Sequence, residues 1–327
     1  MNKLEKNQRY TLLKFDSSIN NLSIIDNKIL KRQYKEPLNK KSIVFDENNT
    51  ESFFLYNWGL IDDTEQVNVG AGNNQYSLKI KKATAFCEYS TRKIRDRNGN
   101  LLPKKDRLNT QQTDVVFIEK NKEVYIVIYT LDGYEIKRVK KLLCEKNLST
   151  LPLQYQVGSE IFTWLCYKYI NEQSKLNDYI TVQGINGFKG NVLTEENRFT
   201  GESFTITELV ITKAFLANRY SITAIKIDLD VESATTMFYI NEIQDKKELR
   251  VMALKGSTTN ILMTPVDILE LMPIYIYFYL IPEIYHIYLA EKETFENNDK
   301  DPFLSKLGID VIKLIMKKNS LKIDDIK

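Results

Sequence analysis

The pattern of apolar and polar positions changes period several times along the chain, giving mixed α and β signals without a repeat or a low-complexity tract. Residues 8–16 (QRYTLLKFD) and 22–30 read as short strands or a strand and turn, and the apolar run 52–60 (SFFLYNWGL) follows. A turn-rich loop, VGAGNNQ, occupies 69–75, and 76–94 reads as one or two strands. The stretch Arg95-Asp96-Arg97-Asn98-Gly99-Asn100 contains Asn-Gly, the strongest short-range hairpin signal, so a basic hairpin is expected here.

Two further strands, DVVFIE at 114–119 and EVYIVIYT at 123–130, are rich in the β-branched and aromatic residues that suit a pleated surface. After Asp132-Gly133 the period becomes helical, and Ile136, Val139, Leu142 and Leu143 share one side of a helix over 134–146. Beyond a boundary at Leu151-Pro152, residues 158–171 read as a helix capped by Ser159, and 177–182 as a strand. Strands over 221–231, 236–243 and 249–254 form a meander with turns at 232–235 and 244–248. Finally 303–319 is an amphipathic helix with Leu307, Ile309, Ile312, Leu314 and Ile315 near helical spacing and lysines in its last turn.

The expected class is α+β, with mixed or antiparallel sheets and flanking helices, in two domains: a basic, β-rich 1–150 and an acidic 151–327. The most hydrophobic stretch, 261–290, contains PIYIYFYLIPEIYHIYLA. A bilayer span needs about 20 consecutive apolar residues, whereas this stretch carries Asp267, Glu270, Pro273, Pro282 and Glu283. It reads as buried structure or, through 272–289, as an aromatic contact surface for a second copy or a protein partner.

Composition changes the picture little. Of 327 residues, 43% are hydrophobic and 27% charged, which excludes disorder, collagen and coiled coil. Cys87, Cys144 and Cys166 form no CxxC pair and have no neighbouring histidine, so neither a disulfide framework nor a zinc site is expected. The polar first residues, MNKLEKNQRY, lack a signal-peptide pattern, which points to a cytoplasmic chain without membrane contact.

Charge changes it more. The net +3 divides into +8 for residues 1–150 (27 Lys+Arg, 19 Asp+Glu) and −5 for 151–327 (19 and 24). Between Lys79 and Arg107 lie ten basic residues against Glu88, Asp96 and Asp106. A basic hairpin suits a polyanion, because each neutralised phosphate releases condensed counterions, and its arginines offer bidentate forks. The expected contacts to DNA or RNA are Arg92, Lys93, Arg95, Arg97, Lys104, Lys105 and Arg107, with Lys137, Arg138, Lys140 and Lys141 at the following helix. The competing readings are docking on the acidic half of the same or another subunit, an acidic protein partner, and plain solubility.

Asp114, followed by strand, turn, apolar strand and helix, resembles the central part of the restriction-endonuclease-like fold of the PD-(D/E)xK nucleases over some 30 residues. The resemblance implies that Asp114 is the first metal-binding acid. The second motif would fall on Ile128 and Thr130, which cannot bind a metal or activate water. An alternative triad is Asp114 with Glu135 and Lys137, from the later Glu135-Ile136-Lys137. The implied protein is thus a catalytically inactive DNA-binding relative or, failing that, a metal-dependent nuclease, and a bacterial antiviral-defence setting is compatible with such a core.

Other chemistry is sparse. His286, the single histidine, reads as a packing residue. Asp228, Asp230 and Glu232 share one face of a strand and could hold Mg²⁺, though a solvated sheet face looks the same. Gly70-Ala71-Gly72 lacks the rest of a dinucleotide fingerprint. Gly187-Phe188-Lys189-Gly190 has the GxxG form of a nucleic-acid clamp, or of a strand-to-loop connection. No cofactor is expected.

Overall fold

The structure is a computed structural model that describes residues 3–38, 49–70, 75–171, 174–191, 198–203, 205–232, 234–242, 246–259 and 265–322. The fold is α+β and divides into two compact units, one of Arg9–Asn68 and Tyr76–Leu151, the other of Met1–Gln8, Val69–Gln75 and Pro152–Lys327. The readings placed on 71–74, 243–245 and 261–264, including Ala71 and Gly72, lie outside the described residues.

The first unit contains β1 (Gln8–Phe15), α1 (Leu22–Ile24), β2 (Tyr34–Pro37), β3 (Phe53–Gly59), β4 (Glu65–Val69), β5 (Tyr76–Ser90), α2 (Lys104–Arg107), β6 (Leu108–Lys120), β7 (Glu123–Ile128), α3 (Gly133–Leu143) and β8 (Leu148–Ser149). Its sheet order is β1-β7-β6-β5-β3-β2, with β8 on β1 and β4 on β5. Pro37, which cannot donate to a ladder, closes β2 at the end of this path. Ile136, Val139, Leu142 and Leu143 of α3 are buried in one core with Leu13, Ala85, Phe117 and Ile126 of the sheet. β7 is buried along nearly its whole length, so its sequence shows no alternation.

Two features of this unit differ from expectation. Residues 22–30 are helical, α1 running on into a wider turn at Ile25–Ile29. Asn21 Oδ1 accepts the Ile24 N–H at 3.0 Å, and Leu22, Ile25 and Ile29 are buried at helical spacing. β6 starts at Leu108 rather than near 114, because β5 offers a partner all along, from Lys79↔Glu119 to Ser90↔Leu108; a polar stretch such as Asn109–Thr113 is strand by pairing, not by propensity.

The second unit contains α4 (Ser159–Ile170), β9 (Ile180–Asn191), β10 (Arg198–Glu202), α5 (Val210–Ala217), β11 (Ser221–Val231), β12 (Ala234–Asn241), β13 (Leu249–Ala253), α6 (Pro265–Tyr275), α7 (Ile281–Thr294) and α8 (Lys300–Asn319). Its strands pair antiparallel in the order β10-β9-β11-β12-β13. Ile161, Phe162 and Leu165 of α4 meet Ile227, Phe238 and Ile240 of the sheet and Ile281 and Ile284 of α7. Widened π turns at Ile276–Leu280 and Phe295–Asp299 join α6, α7 and α8. Each contains the residue four before a proline, Phe278 before Pro282 and Asn298 before Pro302, whose carbonyl a regular helix would leave clashing and unbonded.

The tyrosine-rich segment 272–289 is an interior helix over most of its length, not a contact surface. Met272 and Ile274–Ile281 are at most 2% exposed, and the Tyr277 hydroxyl donates to Leu249 O at 3.0 Å. Other expectations are corrected in detail. Gly158, not Ser159, caps α4, and Ser159 Oγ accepts the Ile222 N–H at 3.1 Å instead. Asn177 Oδ1 holds the N–H groups of Tyr179 and Ile180 in a turn, so the strand starts at Ile180. α8 buries Phe303, Leu304, Leu307 and Val311 and leaves Ile309, Ile312 and Ile315 exposed.

Candidate nucleic-acid interface

The connection from β5 to β6, residues 91–107, is an ordered structure set on the hairpin. Thr91 N–H donates to Arg107 O at 2.8 Å, closing its base, and Leu102 N–H donates to Ile94 O at 3.0 Å, starting a smaller hairpin inside it. At the tip, Asp96 N–H donates to Asn100 O and Gly99 N–H to Asp96 O. Gly99 has φ +84°, and a Cβ there would meet nothing within 4 Å, so glycine serves the left-handed backbone rather than space. The Asn-Gly signal therefore acts through a turn over Asp96–Gly99 ending in a left-handed glycine. The Asp96 carboxylate accepts from the N–H groups of Asn100 and Asn98, both at 2.8 Å, and the Asn100 backbone contact foremost holds its pKa below the usual carboxylate range.

Several of the basic residues assigned to nucleic acid make contacts within the fold, and Arg107 alone among them is fully buried. Arg107 is 1% exposed; its Nε donates to Leu102 O at 2.8 Å, and Nη2 donates to Glu51 O at 3.1 Å and Glu51 Oε2 at 3.0 Å. Lys104 pairs with Glu88 at 2.7 Å and lies 5.0 Å from the Phe53 ring centre. Lys141 pairs with Glu36 at 2.6 Å. Arg138 donates to Gln111 Oε1 at 2.8 Å and stacks 4.3 Å from the Tyr89 ring centre, joining α3 to the base of the hairpin. Arg95 donates to Gly99 O at 2.7 Å across the turn, and Lys140 is half-buried.

Arg92, Lys93, Arg97 and Lys105 are exposed on the connection, and Lys137 is exposed on α3, one residue before Arg138. The hairpin thus gathers five solvent-facing cations over fourteen residues of sequence, of which Arg95 is tied to the turn through Gly99 O. Sequence reasoning missed Glu51, Tyr89 and Gln111, which hold the arginines, and no local signal marks them because each acts on a residue 27 to 56 positions away.

The acidic candidates are more dispersed. Asp114 is exposed on β6, where its Oδ1 accepts from Thr84 Oγ1 at 2.8 Å. Glu135 lies in the first turn of α3, its N–H donating to Asp132 Oδ1 at 3.0 Å. In the other unit, Asp230 accepts from Gln183 Nε2 at 2.7 Å and Thr235 Oγ1 at 2.6 Å. Burial and, second, Asp230 push the Asp228 carboxyl up, while Glu232 is exposed at φ +54°. Among the described residues no group of three His, Cys, Asp or Glu is placed to hold a metal ion.

His286 is exposed rather than packed in the interior. Gly187–Gly190 lies inside β9, paired with β10 on one side and β11 on the other, so it is not a strand-to-loop connection or a free clamp. Gly190 is required for space, since a Cβ there would fall 2.1 Å from Phe215 Cζ. No protein-family model matches the chain, and no curated protein does.

Proposed function

We propose that the protein binds nucleic acid, without cleaving it, by laying the 91–107 connection against a phosphate backbone. The observation that carries this reading is the division of labour in the connection: Arg107 and Lys104 hold its shape from within, Arg95 braces the turn from the surface, and Arg92, Lys93, Arg97 and Lys105 face solvent. A pre-ordered set of cations loses little conformational freedom on binding, and phosphate contacts give affinity without sequence preference. The non-catalytic part rests on Ile128 and Thr130, which stand where the nuclease resemblance calls for an acid and a lysine.

Fluorescence anisotropy with duplex DNA and with RNA across a salt series tests it. Four neutralised phosphates give a log–log salt slope of about −3.6 on duplex DNA, so affinity falls on the order of 100-fold between 50 and 200 mM salt. The Arg92→Ala, Arg97→Ala double variant reduces that slope by about 2. Absence of binding to either polymer at low salt removes the proposal and leaves an acidic protein as the partner of the same cations. Mg²⁺-dependent cleavage that disappears in Asp114→Ala would replace it with the nuclease reading.

A further inference from the structure

The second half of α8 has two apolar faces, and only one is used. Val311, at 9% exposure, is the one buried residue between Ile309 and Asn319. On the other side Ile309 and Ile312 are 51% and 52% exposed, and with Met316 they form an i, i+3, i+7 stripe; Ile315, 44% exposed, lies beside it. Lys306, Lys313 and Lys317 run along one edge of this stripe and Lys318 follows, so Lys306–Asn319 carries four lysines against Asp310 alone.

A second helix, α5, packs beside α8. Arg219, just past the end of α5, pairs with Asp301 in the first turn of α8 at 2.9 Å, and a Cβ on Gly308 would lie 3.5 Å from Ala217. α5 therefore runs antiparallel to α8, and its start points toward the isoleucines. That start carries Leu209 and Ile211, 40% and 55% exposed. Of the eleven large apolar residues left exposed among the described residues, six are on or next to these two helices: Leu209, Ile211, Ile309, Ile312, Ile315 and Leu321. Single exposed apolar residues need no explanation, but a concentration of them does.

We propose that this face of α8 docks on the surface of an anionic lipid bilayer. Clustered lysines on an amphipathic helix are drawn to anionic headgroups, and the aliphatic stripe enters the boundary between headgroup and acyl chain. Contact is superficial, since among the described residues no helix is long and apolar enough to cross a membrane. A second copy fits less well, because antiparallel two-fold pairing along the stripe sets each lysine edge against its own equivalent. A protein groove would have to enclose the helix, and α5 already occupies one side of it at Gly308.

Vesicle flotation of the full chain tests the proposal, with phosphatidylcholine alone and with phosphatidylcholine mixed with phosphatidylglycerol. The protein floats with the anionic vesicles only. Ile309→Asn with Ile312→Asn, both at exposed positions, lowers the partition by about tenfold or more, and each of Lys313→Gln and Lys317→Gln lowers it roughly fivefold. An Arg92→Glu, Arg97→Glu chain floats as before, which keeps this result separate from nucleic-acid binding. No flotation with anionic vesicles overturns the proposal, as does flotation that survives the isoleucine changes or vanishes in the Arg92, Arg97 chain. A dimer that dissociates on the isoleucine changes, without vesicle binding, assigns the face to a second copy; binding instead to a synthetic leucine-zipper peptide flanked by glutamates assigns it to an acidic helix.

Discussion

Replacing Arg107 by Met separates bracing from binding in the basic connection. Methionine keeps an unbranched apolar stem in a site where Arg107 is 1% exposed, so the main loss is the guanidinium's three hydrogen bonds rather than a cavity. Two of them serve the carbonyls of Leu102 and Glu51, and losing the donor to each costs about 1 kcal/mol. The third is charge-assisted, but Glu51 is 48% exposed and rejoins water when freed, so it adds about 1 kcal/mol rather than the 3–5 kcal/mol of a broken buried pair. The expected loss is about 3 kcal/mol. Urea unfolding followed by circular dichroism reads it as the midpoint shift multiplied by the slope m. Glu51→Gln alone should cost less, since an amide oxygen still accepts the Lys104 N–H, and the double variant should show coupling of about 1 kcal/mol, because the two side chains bond each other directly at 3.0 Å. A change under about 1 kcal/mol would refute the bracing argument. So would unchanged stability with weakened nucleic-acid binding, which would make Arg107 a direct contact.

Four other outcomes follow from single observations. Tyr277→Phe removes the donor to Leu249 O from a fully buried site and should cost about 1–2 kcal/mol in the same assay; an unchanged midpoint would show that this carbonyl finds another donor. Cys144, at φ +68° past the end of α3, occupies a position that favours glycine, so Cys144→Gly should raise stability by roughly 0.5–1 kcal/mol, and a loss would show that the thiol packs usefully. Burial pushes the thiols of Cys87 and Cys166 up to about 12, so a thiol reagent at neutral pH should label Cys144 in the folded chain and all three only after denaturation, with rapid native labelling of Cys87 as the contrary result. Asp96 has a lowered folded pKa, so its contribution to the turn is complete above the unfolded value of about 4 and is lost as pH falls through the lower folded one; amide shifts of Asn98 and Asn100 should move there, and invariance down to pH 2 would contradict the assignment.

The elements whose period is strong were readable in advance. The helix after Asp132 was, because Ile136, Val139, Leu142 and Leu143 face one core and Asp132 caps the first turn with its own side chain. The meander over β11, β12 and β13 was too, since apolar and polar residues alternate from Ile225 to Val231, although β12 begins at Ala234, inside the expected turn 232–235. Segment 22–30 reads as strand or turn because Ile24 and Leu30 stand beside Ile25 and Ile29, so the helical spacing of Leu22, Ile25 and Ile29 looks like two short apolar runs around the polar Asp26-Asn27-Lys28.

Within the candidate interface, sequence alone determined where the cations are, that Asn98-Gly99 turns the chain between them, and that the charge of the first 150 residues differs in sign from the rest. Only the tertiary structure decided what each cation does. Arg92 and Arg107 are the same residue type fifteen positions apart, yet one faces water and the other is enclosed by Leu102 and Glu51, because exposure depends on which distant backbone folds over the side chain. The same holds for the apolar residues. Tyrosines of 272–289, which read either as buried structure or as a contact surface, are mostly interior, whereas Ile309, Ile312 and Ile315, which read as one apolar set with Leu307, are exposed, since a helix with two apolar faces gives no sign of which one its neighbours will cover.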